Sequence, residues 1–389
     1  MRNGIDRLIA GEPTQLVARL KSSRLGYLTN DLAITVDARR AREGIVAQGF
    51  PVERFFGPEH GLSGRAREGA GVDNGRDTVT GIPVVSLYGD RVRPTSADLE
   101  GLDVVLVDLP DIGSRFYTFI WTLSHMLEAC AEAGVAVVIA DRPNPIGGSL
   151  AQAEGPMLDE DCHSLVGRWP MPIRHSLTIG EAARHWVRTR GIAVDLDVVT
   201  AEGWDRMDAS WAVNRPWMPP SLNMPSVATA LLYPGTCLAE GVNLSEGRST
   251  SVPFRVVGAP WLDGAALADR MTQLDLPGVS VLDYGFTPWV RDWAGEACEG
   301  VILHVTDPEV FRPVHTGVRM LAAIHEIHPG MLSERTHMHM PGESDATPLE
   351  KLFGRRGAFA DITAGTWNDS ATLEVASWVD LVQDDVLYS

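Results

Sequence analysis

Short apolar runs alternate with amphipathic stretches through the first half of this chain. Leu25–Thr29 (LGYLT), Val52–Phe56 (VERFF), Pro83–Tyr88 (PVVSLY), Asp103–Asp108 (DVVLVD) and Val135–Ala140 (VAVVIA) are five such runs. Runs rich in Val, Ile and Leu predict strands buried on both faces, as in parallel sheets. Between them, Thr35–Gln48 carries Ala38, Ala41, Ile45 and Val46 at helical spacing, and Phe116–Ala133 predicts a longer helix. Thr178 followed by Glu181 is a capping box and predicts another helix start. Strand–helix–strand alternation gives an α/β class with an open, doubly wound, mainly parallel sheet.

A break is predicted near Arg248–Pro260. Beyond it the pattern gives a helix (Asp263–Gln273), strands at Val279–Tyr284 and Gly300–Thr306, and a helix at Val314–Ile327. A Gly/Pro/His-containing loop spans His328–Ala346, and a final amphipathic helix is expected over Ser370–Val386. The reading is thus a larger domain over residues 1–250 and a smaller α/β or α+β domain over 251–389. The length of 389 residues supports two domains, because single cores rarely grow so large.

Composition narrows the function. The net charge is −18 with no Lys/Arg block, and phosphate backbones are bound by basic surfaces, so a nucleic-acid partner is disfavoured. Cys130, Cys162, Cys237 and Cys298 form no C-x-x-C pair, which argues against a zinc ribbon and for free thiols in a reducing compartment. The start, MRNGIDRLIAGEP, has no apolar h-region. A cytoplasmic protein is expected, or an exported one if a leader was removed. No apolar run is long enough for a transmembrane helix, so no membrane partner is expected. No repeat or heptad pattern occurs, which leaves a monomer or weak dimer.

The chemistry collects at strand ends. In open α/β sheets, ligands bind beyond the carboxyl ends of the strands. Thr29-Asn30-Asp31, Gly57-Pro58-Glu59-His60-Gly61, Asp108 through Arg115, and Asp141-Arg142-Pro143-Asn144 follow four of the predicted strands. Four polar loops on one edge predict a polar cleft. No G-x-G-x-x-G, P-loop, G-x-S-x-G or H-E-x-x-H is present, so no dinucleotide, nucleotide or metal cofactor is expected.

At these loops the chain resembles the peptidoglycan exo-β-N-acetylmuramidases, long known only as a domain of unknown function. The matching segments include FFGPEHGLSG (Phe55–Gly64), SLYGDRVRPT (Ser86–Thr95), DLPDIGSRFYTFI (Asp108–Ile120), DRPNPIGG (Asp141–Gly148) and AEGPMLD (Ala153–Asp159). RHSLTIGEAA (Arg174–Ala183), PSLNMPS (Pro220–Ser226), YPGTCLAEGVNLSEGRST (Tyr233–Thr250) and GAPWLD (Gly258–Asp263) continue the series in the family's order. The resemblance implies a Rossmann-like N-terminal domain, a smaller C-terminal one, and a cleft between them. It implies release of terminal, non-reducing N-acetylmuramic acid, with the GPEHG glutamate, here Glu59, as catalytic residue. The chain departs from the family where a usual Thr-Asn-His reads Thr29-Asn30-Asp31 and a usual Arg-His-Gly reads Arg174-His175-Ser176.

Glycoside hydrolysis generally uses two carboxyl groups. Glu59 is the candidate general acid, shielded by Phe55, Phe56 and Pro58. Asp108, Asp111, Asp141, Glu154, Glu240 and Glu246 are eligible as the second group, with Glu246 ranked first and Asp111 also in a Gly-rich loop. Arg65, Arg115, Arg142 and Arg248 are candidates for the lactyl carboxylate of muramic acid, since a guanidinium fork matches a carboxylate. Asn30, Asn144, Asn223 and Asn243 are candidates for sugar hydroxyls or the acetamide. Tyr88, Tyr117 and Trp261 are candidate sugar platforms, and His60 and Asp141 candidate substrate contacts. Two alternatives stand beside the glycosidase: a metal-dependent hydrolase built on Asp108, Asp111, His60 and Asp141, and a non-catalytic muropeptide-binding protein.

Overall fold

The five apolar runs fold as strands in a computed structural model that describes residues 1–66, 71–89, 91–213, 215–336, 343–367 and 375–389. Seven strands form one sheet: β1 (Leu25–Thr29), β2 (Val52–Gly57), β3 (Gly75–Arg76), β4 (Pro83–Ser86), β5 (Val104–Asp108), β6 (Ala136–Ala140) and β7 (Leu196–Val199). Their order is β3-β4-β2-β1-β5-β6-β7, parallel throughout except at the edge pair β3–β4.

Side chains alternate between the two faces of this sheet. Leu25, Tyr27, Val104, Leu106, Val138 and Ala140 pack with Ile5, Leu8, Val17, Leu20, Ala41 and Ile45. Leu28, Val105, Val107, Val137 and Ile139 pack on the opposite side with the helix Phe119–Ala133. Both faces are dry, so nearly every strand position is apolar. The helices Gly4–Ile9 and Thr14–Lys21 help cover the first face. At six and eight residues they span only about two turns, too few to repeat the helical pattern, and the sequence pattern does not reveal them.

Two helix starts differ from expectation. The first helix runs only over Ala41–Ala47, because Thr35 Oγ1 donates to Asp37 at 2.5 Å and accepts from the Arg39 amide at 3.1 Å. That side-chain turn, with Ala38 at φ 61°, competes successfully with helix. The second begins at Phe119 rather than Phe116, because Ser114 through Tyr117 form a turn bridged to Arg174. The box at Thr178 does cap a helix, Ile179–Arg190, with Thr178 accepting from the Glu181 amide.

The second sheet is antiparallel: β8 (Val256–Ala259), β9 (Val279–Asp283) and β10 (Glu299–Val305), in the order β8-β10-β9. Helices Gly264–Gln273 and Pro313–Ile327 belong to this smaller unit and pack on one another. The helix Val227–Thr236 lies against Pro313–Ile327 so closely that a Cβ on Gly235 would sit 1.9 Å from the Pro313 carbonyl oxygen. One apolar cluster runs from Leu28 and Val105 through Leu232 to Val301 and Leu303, joining the two sheets by a continuous core. Part of the expected His328–Ala346 loop (337–342) and part of the expected last helix (370–374) lie outside the described residues; Ala376–Val382 is helical.

Candidate active site

From β1 the chain builds β2 and β4 on one side of the sheet, then returns to build β5, β6 and β7 on the other. That reversal opens a crevice at the carboxyl ends of β1 and β5. Pro58, Glu59 and His60 follow the end of β2, and the loop after β5 leads to the helix Phe119–Ala133. A cavity of about 690 Å³ lies here, walled by these loops and by residues of the C-terminal unit.

Glu59 is 6% exposed, and its Oε2 accepts a 2.6 Å hydrogen bond from Thr118 Oγ1. Thr118 precedes the helix, but its hydroxyl caps no helix amide and serves the carboxyl group instead. Tyr117 and Phe119 meet edge-to-face at 5.1 Å, and Tyr233 stands edge-on to Phe116 and to Phe254. An aromatic wall therefore borders the glutamate. Burial, with Glu59 and Asp111 nearby, pushes the Tyr117 hydroxyl well above the ordinary tyrosine range, so it stays protonated. His60 holds a left-handed φ of 68°, and its Nδ1 lies 2.9 Å from the Ala66 carbonyl oxygen. That bond assigns the proton of a neutral ring to Nδ1 and leaves Nε2 as an acceptor.

The opposite wall is an ion cluster. Arg248 pairs with Glu240 at 2.6 Å and with Glu246 at 2.8 Å, and Arg291 pairs with Glu240 at 2.5 Å. Burial would raise the Glu240 carboxyl, but the two guanidiniums outweigh it and hold it at about 2. Glu246, more deeply set and beside the Glu240 charge, is pushed up instead. Asp292 with Arg335 (2.8 Å) and Glu343 with Lys351 (2.7 Å) complete this charged side.

Glu59, His60, Tyr88, Tyr117, Asn223 and Arg248 line the cavity as the sequence suggests. Glu240, one of the eligible second carboxylates, lines it too, whereas the remaining candidates do not. Glu246 lies behind Arg248 and is 1% exposed, so Glu240, not Glu246, presents the carboxylate. Asp111 accepts from the Gly113 amide at 2.8 Å, lies 3.5 Å from His175 Nε2, and faces a separate cavity of about 120 Å³. Arg142 borders that same smaller cavity, with its fork spent on Asp108 at 2.6 and 3.0 Å. Arg115 is fully buried and donates to the carbonyls of Pro156, Met171 and Leu352, so it holds backbone rather than ligand. Asp141 is consumed by Thr178, Gly180 and Tyr388. Asn30 accepts from its own loop's backbone, Asn144 bonds the Ile146 amide and the Leu177 carbonyl, Asn243 bonds the Met331 carbonyl and the Ser333 amide, and Arg65 is exposed outside the lining. Trp261 is likewise absent from the lining. Gly113, at φ +77°, is required here: a Cβ would meet Asn144 Oδ1 at 2.4 Å.

Asp31, standing where the family usually has His, pairs with Arg42 at 2.5 Å and Arg40 at 3.6 Å, outside the cavity. The metal alternative loses its donor set, because Asp108 and Asp141 are already engaged. Among the described residues no three His, Cys, Asp or Glu gather as a metal site. Sequence reasoning missed Thr118, Tyr233 and Arg291. Thr118 and Tyr233 lie inside recognised segments, whereas Arg291 sits in the β9–β10 connection with no motif to mark it.

Residues 25–228 match the N-terminal model of exo-β-N-acetylmuramidase NamZ, and residues 231–382 match its C-terminal model. The chain belongs to this family. The peptidoglycan β-N-acetylmuramidase NamZ of Bacillus subtilis (strain 168) is 38% identical over 330 residues, 85% of this chain and 78% of that protein. A DUF1343 family protein of Bacteroides fragilis NCTC 9343 shares the fold with a TM-score of 0.84 at 24% identity, covering 100% of this chain and 99% of its own. A second from the same organism gives 0.75 at 25% identity, with 100% and 99% coverage. The two NamZ segments adjoin within the helix Val227–Thr236. No helix among the described residues is long and apolar enough to cross a membrane.

Proposed function

We propose that this member of the NamZ family is an exo-acting glycoside hydrolase that releases terminal, non-reducing N-acetylmuramic acid from peptidoglycan fragments. The observation that carries the reading is Glu59: a nearly buried carboxyl group, braced by Thr118 and bordered by aromatic rings, in the wall of a cavity large enough for a sugar. Glu59 acts as the general acid that protonates the departing glycosidic oxygen.

The other carboxylates of the described lining are ion-paired: Glu240 with two guanidiniums, Asp292 with Arg335, Glu343 with Lys351. A carboxylate neutralised in this way is a poor nucleophile. The sugar's own acetamide carbonyl then attacks the anomeric carbon as Glu59 releases the leaving group, and water opens the resulting oxazolinium. For the lactyl carboxylate, the suited cation is Arg291. Its side chain is 35% exposed, against 9% for Arg248, 17% for Arg335 and 4% for Lys351. Salt bridging to a ligand carboxylate requires such access.

The test is hydrolysis of a β-N-acetylmuraminide by wild type and Glu59→Gln, with the first-formed sugar followed by proton NMR. The variant is expected to lose release by at least about a thousandfold while melting normally. The wild-type product is expected to appear first as the β anomer. A Glu59→Gln enzyme within a few-fold of wild type removes Glu59 from the chemistry.

A further inference from the structure

An exo-enzyme seats the terminal sugar inside its cavity, so the rest of the glycan must leave through the mouth. Trp289 is 70% exposed, the highest value for any large hydrophobic side chain among the described residues. It lies in the β9–β10 connection, two residues before Arg291 of the cavity wall. Its backbone amide donates a 2.7 Å hydrogen bond to Ser249 Oγ, which ties the loop to the residue after Arg248. Arg291 and Trp293 of the same loop hold φ values of 62° and 65°, and Trp293 Nε1 donates to the Asn243 carbonyl at 3.1 Å. The loop is thus anchored at Trp289 itself and again at Trp293. On another border of the cavity, Leu222 is 61% exposed between Ser221 and Asn223, which both line it.

A solvated indole two residues from the wall of a ligand cavity is unusual, since tryptophan is highly buried on average. Trp289 and the adjoining Val290, 46% exposed, place apolar surface next in sequence to that wall, and exposed apolar patches mark binding faces. The chain carries a net charge of −18, which disfavours long-range attraction of anionic glycans. An uncharged stacking contact avoids that repulsion, and an indole face suits the apolar CH face of a neutral hexosamine.

We propose that Trp289, with Leu222 on another border of the cavity, is a platform for the sugar on the leaving side of the scissile bond, the N-acetylglucosamine next to the terminal muramic acid. The proposal rests on the glycosidase reading above. It makes Trp289 a specificity-determining residue that reads a second sugar, while Glu59 and the cavity hold the first.

Binding separates this proposal from the glycosidase reading. In the Glu59→Gln background, calorimetry compares N-acetylmuramic acid with the disaccharide N-acetylmuramyl-β-1,4-N-acetylglucosamine, while hydrolysis by the wild type judges the glycosidase reading by itself. Adding Trp289→Ala is expected to weaken disaccharide binding about tenfold and to leave the monosaccharide within about twofold. Trp289→Phe is expected to retain disaccharide affinity within about threefold. Unchanged disaccharide affinity in the Ala variant overturns the platform. Equal weakening for both sugars also overturns it, assigning Trp289 to loop structure. Sedimentation of the same variants adds a third outcome: dissociation of a dimer with sugar affinities intact would show that the ring covers a second copy and would reject the proposal.

Discussion

Thr118 and Glu59 come from loops on two different strands, and the threonine hydroxyl reaches the glutamate Oε2 at 2.6 Å. The side chain at the head of the helix Phe119–Ala133 therefore aims the proposed acid. Because that hydroxyl caps no helix amide, its loss leaves the helix start intact. A hydrogen bond to a charged or proton-transferring carboxyl group is worth about 1.5–3 kcal/mol. Thr118→Val is isosteric, and we expect it to lower kcat by about tenfold or more. KM should stay close to wild type, and the melting temperature should fall by only a few degrees. Steady-state kinetics on a muraminide check this, and an unchanged kcat would mean that Glu59 needs no such brace.

Ser176 occupies the position where related sequences usually carry glycine, and it holds φ 60°. It is fully buried, and its hydroxyl has no hydrogen-bond partner. A left-handed non-glycine residue and an orphaned buried hydroxyl both cost stability. Ser176→Gly is expected to stabilise the protein by about 1 kcal/mol. Urea denaturation supplies the measurement; a lower midpoint at unchanged slope would contradict the strain argument.

Glu154 is buried and receives the amides of Val314 and His315 at 3.1 and 2.7 Å, joining the N-terminal unit to the helix Pro313–Ile327. Burial pushes its carboxyl up to about 7 from 4.5, against the opposing pull of those amides and of Arg174. The folded form therefore holds this proton more tightly than the unfolded chain. Its stabilising contribution is fully present below about pH 4.5 and is lost as pH rises through about 7. Asp141, raised to about 6 by burial, adds a slope of the same sign. Subtraction of a Glu154→Gln variant isolates the Glu154 share. The stability of wild type relative to that variant is expected to fall by on the order of 2–3 kcal/mol between pH 4.5 and 7.5, then level off. Denaturant titrations across that range test it, and a flat difference would show that the two amides and Arg174 offset burial.

The five apolar runs became strands within a residue or two because a strand buried on both faces must be apolar almost everywhere. The capping box at Thr178 was legible for a similar reason, since its hydrogen bonds span only three residues. Glu59 was legible through its motif and its place just after β2. The charged loops misled where a group found a structural partner instead. Arg115 looks like a ligand-binding guanidinium in DIGSRFY, yet it turns inward to carbonyls as distant in sequence as Leu352. Arg142 is claimed by Asp108, and Asp141 by Tyr388 near the far end of the chain.

The sequence by itself determined the family, the α/β class and the strand ends that carry polar loops, and it singled out Glu59 as the candidate acid. These follow from residue types and spacings within a few positions of one another. Only the tertiary structure decided that Glu240 rather than Glu246 faces the cavity, that Arg291 joins its wall, and that Thr118 reaches Glu59. Each of those outcomes depends on which side chains from distant segments meet, and on which charges water can still reach. Local pattern records neither, because a loop residue's direction is set by the partners that packing brings to it.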